Sequence, residues 1–182
     1  MKTKINIIIV ILLLSIKINS QVTFKPGVRV GLNSSKIDGI NDDAKTDFYI
    51  GIFGELKLGN RYALQPEITY SKQGSENVDL NYVSIGLANK FYFFPEETPI
   101  FILVKPSLDI NADSQTNSSG EGLSKIDADF SFAAGIGYEF PFGLDIEARY
   151  VRGILDVSGS SYLSGYNSVI KIGAAYKFDF RK

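Results

Sequence analysis

The sequence predicts an all-β fold, an eight-stranded antiparallel up-and-down transmembrane β-barrel, and three observations lead there. Apolar and polar residues alternate along nearly the whole chain after residue 21. The apolar rows carry no charge across their middles, and aromatic residues gather at their ends. Period-two patterning marks strands with one apolar and one polar face, and charge-free rows bordered by aromatics mark a barrel whose outside meets lipid.

Composition sets the bounds. A chain of 182 residues is one domain by length, and 45% hydrophobic residues is ordinary for a folded chain. Seventeen glycines, 13 Phe and 10 Tyr, against one Met and no Trp, favour short strands and tight turns. The sequence has no Cys, so no disulfide or thiolate site is expected, and no His. Without His, the usual nucleophile-activating dyads and the helical zinc motif cannot be built. We therefore expect no enzyme, no metal and no cofactor.

The first 20 residues read as a signal peptide and residues 21–182 as the barrel domain. Lys2 and Lys4 precede a greasy run over residues 5–16, broken only by Asn6 and Ser15. A spanning helix needs about 20 apolar residues, so this run fits the core of a secretory signal. Small Ser20 suits cleavage before Gln21. Removing Lys2, Lys4 and Lys17 leaves 16 basic against 20 acidic residues, a net charge of −4 that argues against a nucleic-acid partner.

Eight alternating runs follow, at residues 22–34, 47–58, 62–71, 80–93, 100–111, 125–140, 142–154 and 167–180. Each is near or above the roughly 9–11 residues that a tilted strand needs to cross a bilayer. The sixth is the clearest, with Ile126, Ala128, Phe130, Phe132, Ala134, Ile136, Tyr138 and Phe140 on one side. Connections at 59–61, 94–99 and Pro141 are short, whereas 35–46, 72–79, 112–124 and 155–166 are long and polar. Short turns on one side and long loops on the other match outer-membrane barrels, which places both termini in the periplasm of a bacterial envelope.

A soluble barrel would also alternate, so the decisive point is which face turns inward. On the apolar face the first charge is Arg152, near an outer end, and only Asn89 is conspicuously polar. The other face mixes charges with Gly27, Gly31, Gly51, Gly86, Ala88, Ala133, Gly135, Gly137, Gly173 and Ala175, small residues that suit a crowded lumen. Its acids are Asp47, Glu55, Glu67, Asp109, Asp127, Asp129, Glu139, Asp145, Glu147 and Asp179; its bases are Lys25, Arg29, Lys57, Lys90, Lys105, Lys125, Arg149, Lys171 and Lys177. Buried charge is tolerated when paired, so this near balance fits a plugged interior. On the lipid side, Phe24, Tyr62, Phe91, Phe93, Phe140, Phe142, Tyr176, Phe178 and Phe180 fall at the short-turn end, and Phe48, Tyr70 and Tyr150 at the long-loop end.

From this patterning the candidate lumen network is Arg29, Glu55, Glu67, Lys90, Lys105, Glu147, Arg149 and Lys171. A structural salt-bridge network is the expected role, ahead of a proton or ion relay through Glu67, Glu147, Arg29 and Arg149. With a three-residue turn at Pro141, Gly135 would face Glu147 and Ala133 would face Arg149. Pro66 and Pro106 lie inside strands without an N–H to give, and a bulge is expected at each. Asp38, Asp42 and Asp43 lack the spacing of a calcium loop and read as a solvated acidic stretch. Neither Gly120-Glu121-Gly122 nor Gly135-Ile136-Gly137 carries a full phosphate-loop fingerprint. Asn33-Ser34-Ser35 and Asn117-Ser118-Ser119 match the glycosylation triplet, which weighs little in a bacterial chain.

The run Leu64-Gln65-Pro66-Glu67-Ile68-Thr69-Tyr70-Ser71-Lys72-Gln73-Gly74 resembles the third strand of the PorT-like outer-membrane β-barrel family. Gly27-Val28-Arg29-Val30-Gly31-Leu32-Asn33, Glu147-Ala148-Arg149-Tyr150 and Ala175-Tyr176-Lys177-Phe178 are similar to its first, seventh and eighth strands. Gly86 stands where that family's fourth strand often has Pro. The resemblance covers essentially residues 21–182 and implies an integral outer-membrane barrel in contact with membrane lipid. It also implies that Gly173, Tyr176 and Phe178 form a C-terminal signal read by the barrel-assembly machinery. The function expected is non-catalytic: a small barrel with a side-chain-filled polar lumen that contributes to envelope structure or binds a protein partner through loops 35–46, 72–79, 112–124 and 155–166. The alternatives are a narrow porin-like channel and an accessory of an outer-membrane secretion complex.

Overall fold

A computed structural model describes residues 22–38, 44–75, 78–94, 99–116, 128–154 and 166–180. The strands are β1 (Thr23–Asp38), β2 (Lys45–Lys57), β3 (Tyr62–Ser75), β4 (Val78–Phe93), β5 (Ile100–Thr116), β6 (Ala128–Glu139), β7 (Leu144–Gly153) and β8 (Tyr166–Lys177). They pair antiparallel in chain order, and β1 closes on β8 from Gly27↔Lys177 to Asp38↔Tyr166. Closure matters because a strand edge has no water to bond with inside a bilayer. The proposed signal peptide, Asp42, Asp43, residues 117–122, Lys125 and Asp127 lie outside the described residues.

Alternation decides the two surfaces. Outward positions expose Val30, Leu32, Ile52, Ile85, Ile136, Ile170 and Ile172, each near half or more of its free surface. Outward Asn89 is the polar exception; its Oδ1 accepts a 2.7 Å hydrogen bond from the Tyr62 hydroxyl and its Nδ2 donates to the Leu87 carbonyl, so it enters the apolar band with its polarity satisfied. Tyr138, Phe140 and Phe142 form one chain of ring contacts at the short-turn end, and Tyr176, Phe178 and Phe180 another.

The inward face holds the charged residues together with Tyr49, Phe53, Tyr82, Tyr92, Phe101 and Leu103, all buried. The small residues make room for these rings. A Cβ built on Gly27 would stand 2.3 Å from Phe53 Cζ, one on Gly137 2.3 Å from Phe101 Cζ, and one on Gly173 2.3 Å from the Tyr49 hydroxyl. Large side chains thus lie over glycines, Phe53 and Phe101 over the adjacent strand and Tyr49 across β1 onto β8, and the lumen is packed rather than open.

Four expectations need correction. The β6–β7 register sets Gly135 opposite Arg149, Gly137 opposite Glu147 and Ala133 opposite Val151. The three turn residues are Pro141, Phe142 and Gly143, because Gly143 supplies the left-handed backbone (φ 91°) and its N–H returns to the Phe140 carbonyl. Neither proline makes a bulge. Between β2 and β3 the ladder skips Gly54 and Glu55 against Gln65 and Pro66, then resumes in the same register; β4–β5 does the same at Pro106. A missing N–H removes a rung without inserting a residue. The one register shift in β4–β5 falls at Asn81/Tyr82, where Ala112 is the extra residue on β5.

The long-loop reading of 72–79 also fails, since β3 and β4 stay paired out to Ser75↔Val78. Likewise β1 pairs with β2 to Ser35↔Lys45, and β5 continues to Thr116. Past the hydrocarbon both faces turn polar, so the periodic signal fades while backbone pairing continues.

Candidate functional site

All eight predicted lumen residues are inside the barrel and less than 6% exposed, and they divide into a central cluster, a short-turn cluster and one residue apart. The central cluster draws on β1, β3, β5 and β7. Arg29 Nη1 lies 2.9 Å from Glu67 Oε2 and 3.0 Å from Glu147 Oε1, and its Nη2 donates to Gln65 Oε1 at 2.9 Å. Arg149 makes the matching pair, Nη1 to Glu67 Oε1 at 2.9 Å and Nη2 to Glu147 Oε2 at 3.0 Å. Lys105 Nζ adds a third cation to Glu67 at 3.0 Å. Two carboxylates therefore bridge two guanidiniums across the lumen, and the Arg29 fork also rests on the Phe53 ring, 4.9 Å from its centroid.

Local backbone explains the positions. Arg149 runs over Gly135, whose missing Cβ would stand 3.0 Å from Arg149 Cγ; Lys105 runs over Gly86, whose Cβ would stand 3.0 Å from Lys105 Cδ. Where the resembled family places Pro, Gly86 leaves space for a lysine stem.

The second cluster lies toward the short turns and joins the predicted Glu55 and Lys90 to residues outside the candidate network. Lys90 Nζ contacts Asp145 Oδ2 at 2.7 Å and Glu55 Oε2 at 3.2 Å. Lys177 Nζ meets Glu139 at 2.6 Å, Asp145 at 3.1 Å and Glu55 at 3.2 Å. The Tyr92 hydroxyl donates to Glu139 Oε2 at 2.7 Å, and Lys90 lies over the Phe101 ring at 4.4 Å. Glu55, Glu139 and Asp145 bring carboxylate oxygens within 4.8 Å of one another, with the ammonium groups of Lys90 and Lys177 among them. Lys177, Glu139, Asp145 and Tyr92 share the inward parity of Lys90 and Glu55, so the signal that finds them was present in the alternation.

Lys171 stands apart, toward the loops. Its Nζ donates to Ser71 Oγ at 3.2 Å and lies 5.2 Å from the Tyr49 ring centroid. Around it are amide and hydroxyl groups: Asn33 Nδ2 donates to Ser71 Oγ and the Lys72 carbonyl, Ser35 donates to the Gly74 carbonyl, and Ser107 and Ser131 bond to each other. Asn33 thus spends its amide inside the barrel, which removes it as a glycosylation acceptor. Asp109 and Asp129 face each other across the β5–β6 ladder, both buried.

Of the three residues assigned to the C-terminal signal, Gly173 faces inward beneath Tyr49, while Tyr176 and Phe178 face outward with ring centroids 5.3 Å apart.

A family model described as "Outer membrane protein beta-barrel domain" matches residues 7–178. Among solved structures the chain is similar to Neisserial surface protein A (TM-score 0.54, 15% identity, covering 87% of this chain and 100% of that one). It is similar to Ail, the attachment invasion locus protein of Yersinia pestis (TM-score 0.50, 15% identity, 85% and 98%), and to OprG of Pseudomonas aeruginosa (TM-score 0.50, 12% identity, 86% and 97%). At these identities the likeness is one of fold. A comparison with curated protein sequences found no match.

Proposed function

The chain belongs to the outer membrane protein beta-barrel domain family, an integral barrel of the bacterial outer membrane, and within that family we propose a non-catalytic, non-conducting role. The barrel contributes to envelope structure and presents its long-loop end to a protein partner. The observation that carries this reading is the central cluster, in which Arg29, Glu67, Glu147 and Arg149 tie β1, β3 and β7 together across the lumen. An eight-stranded barrel has an interior just wide enough for side chains, and here ion pairs fill its middle. A sequence without His or Cys, with Glu67 and Glu147 each held by two arginines, supports the non-catalytic part.

Within the same reading the chain is a PorT-like member, supported by the third-strand run over 64–74. Its termini lie in the periplasm, as short turns do in this class. The barrel-assembly machinery reads Gly173, Tyr176 and Phe178, and the net charge of −4 after signal removal disfavours nucleic acid. The partner surface comprises the connections within 35–46, 112–124 and 155–166; the 72–79 segment contributes a paired hairpin end instead of a loop.

Planar bilayers test the proposal. The folded protein should give no stable current, and steady open currents would install the narrow-channel alternative. A hydrolytic activity abolished by Glu67→Gln with the fold intact would overturn the non-catalytic part. Co-purification with a secretion assembly would assign the partner.

A further inference from the structure

Every acid of the central and short-turn clusters lies against a Lys or Arg nitrogen. Asp109 does not. Among the described residues it enters no ion pair, although it is only 7% exposed, and its Oδ1 has no hydrogen-bond partner. Lys171, the buried ammonium at the same end, is held on Ser71 Oγ at 3.2 Å and over the Tyr49 ring. A buried carboxylate without a counter-charge is strongly disfavoured, so this one draws a cation from solvent.

Register puts Asp129 of β6 directly opposite Asp109 of β5, and Ser131 opposite Ser107 one step toward the barrel's middle. The serine pair shows how near such partners come, with its Oγ atoms 2.8 Å apart. Two carboxylates in the equivalent position repel each other. One step toward the loops, half-buried Asn111 follows on the same inward row, about 7 Å along the strand, and its Oδ1 has no partner. At the level of the aspartates the ladder continues through Ser84 to Thr69, which is 3% exposed and whose Oγ1 is likewise without a partner. The orphaned atoms toward the loops are oxygens, whereas those of Arg29, Gln65 and Arg149 in the central cluster are nitrogens. Converging oxygens beside negative charge suit a hard cation.

We propose that Asp109 and Asn111, beside the charge of Asp129 and level with Thr69, form a binding site for one divalent cation of the calcium class at the loop end of the lumen. Calcium accepts oxygen ligands at about 2.3–2.6 Å in adaptable number and completes its shell with water, whereas magnesium demands a stricter octahedron. Asp129 acts through its charge and keeps its other contacts. Two carboxylates and one divalent ion balance, with Lys171 engaged by Ser71 and Tyr49. The absence of His and Cys argues against zinc and the softer metals; an all-oxygen site needs neither. The site does not depend on which side of the membrane the loops face.

Terbium luminescence of the full folded protein in detergent tests it, because Tyr82 pairs with Asn111 on the neighbouring strand and can sensitise a lanthanide held there. The wild type should show saturable emission that calcium displaces with a Kd of about 0.1–1 mM, the range of weak extracellular sites. D109N, its fold verified by heat-modifiable gel mobility, should weaken calcium roughly tenfold. N111A should weaken it about threefold, and it carries the test should D109N fail to refold. D47N, at the same end but paired with Lys45, should leave the affinity unchanged. Calcium should also raise the urea midpoint of the wild type and not that of D109N. No saturable binding at millimolar calcium, or wild-type affinity in both D109N and N111A, overturns the site. Displacement of terbium by magnesium or sodium at the concentrations at which calcium acts overturns its assignment to the calcium class.

Discussion

The two ends of the lumen solve the problem of buried polarity differently. Toward the short turns, Glu55, Lys90, Glu139, Asp145 and Lys177 are each in contact with opposite charge, and Tyr92 ties two of the acids together. Toward the loops the interior is built mainly from Asn33, Ser35, Thr69, Ser71, Gln73, Ser107 and Ser131, with Asp109, Asp129 and Lys171 as its buried charges and Lys171 on a serine hydroxyl. Among the described residues Asn33 Oδ1, Thr69 Oγ1, Asp109 Oδ1 and Asn111 Oδ1 have no hydrogen-bond partner, while in the centre and toward the short turns the same holds for Arg29 Nε, Gln65 Nε2, Arg149 Nε and Asp145 Oδ1. The difference lies in the chemistry that holds each end: charge pairs from the middle of the barrel to the short turns, and mainly hydroxyl and amide hydrogen bonds toward the loops.

The comparison can be broken by substitution. The largest effect is expected from Glu67→Ala, which strips Arg29, Lys105 and Arg149 of a shared carboxylate. Removing one side of a buried pair typically costs 3–5 kcal/mol, so the urea midpoint of the refolded barrel should fall steeply, by about that much free energy. Lys90→Met should follow at about 3 kcal/mol by the same measurement, because Glu55 and Asp145 are then left to share Lys177. Gly137→Val attacks packing in place of charge. Its Cβ would meet Phe101 Cζ at 2.3 Å and the Ile146 carbonyl at 2.8 Å, and overpacking of this kind costs about 1–3 kcal/mol in thermal or urea unfolding. The smallest effect belongs to Thr69→Val, at most about 1 kcal/mol in either direction, since its hydroxyl gives up no protein hydrogen bond. A Thr69→Val loss as large as that of Lys90→Met would erase the contrast between the two ends.

Much of this was legible before any coordinates. Parity alone sends Arg29, Glu67, Lys105, Glu147 and Arg149 inward, because each sits one residue from an aliphatic position that must face lipid. What parity cannot give is which inward residue meets which. Arg29 and Glu147 are 118 positions apart and belong to strands that never pair with each other, so their contact depends on strand tilt and stagger as well as alternation. The β6–β7 register was missed by two for a local reason, the left-handed Gly143, whose conformation is not written in the hydrophobic pattern. Tyr49, Phe53 and Phe101 have inward parity in the sequence, but the glycines that make room for their rings are identified only by the strand register and stagger. The strand ends at Ser75 and Thr116 were underestimated because water on both faces silences alternation while leaving the ladder intact.

The central cluster has one more consequence. It takes β1, β3, β5 and β7, one strand from each of four successive hairpins, and apart from Glu147 with Arg149 on β7 no hairpin can neutralise its own contribution. A half-built barrel would carry naked arginines or glutamates against hydrocarbon, so every partial intermediate is penalised until the last hairpin docks. By this argument the ion pairs that close the lumen would favour the complete barrel over partial ones during assembly. Membrane insertion of this chain should be all-or-none, with the electrostatic reward withheld until the circle is complete.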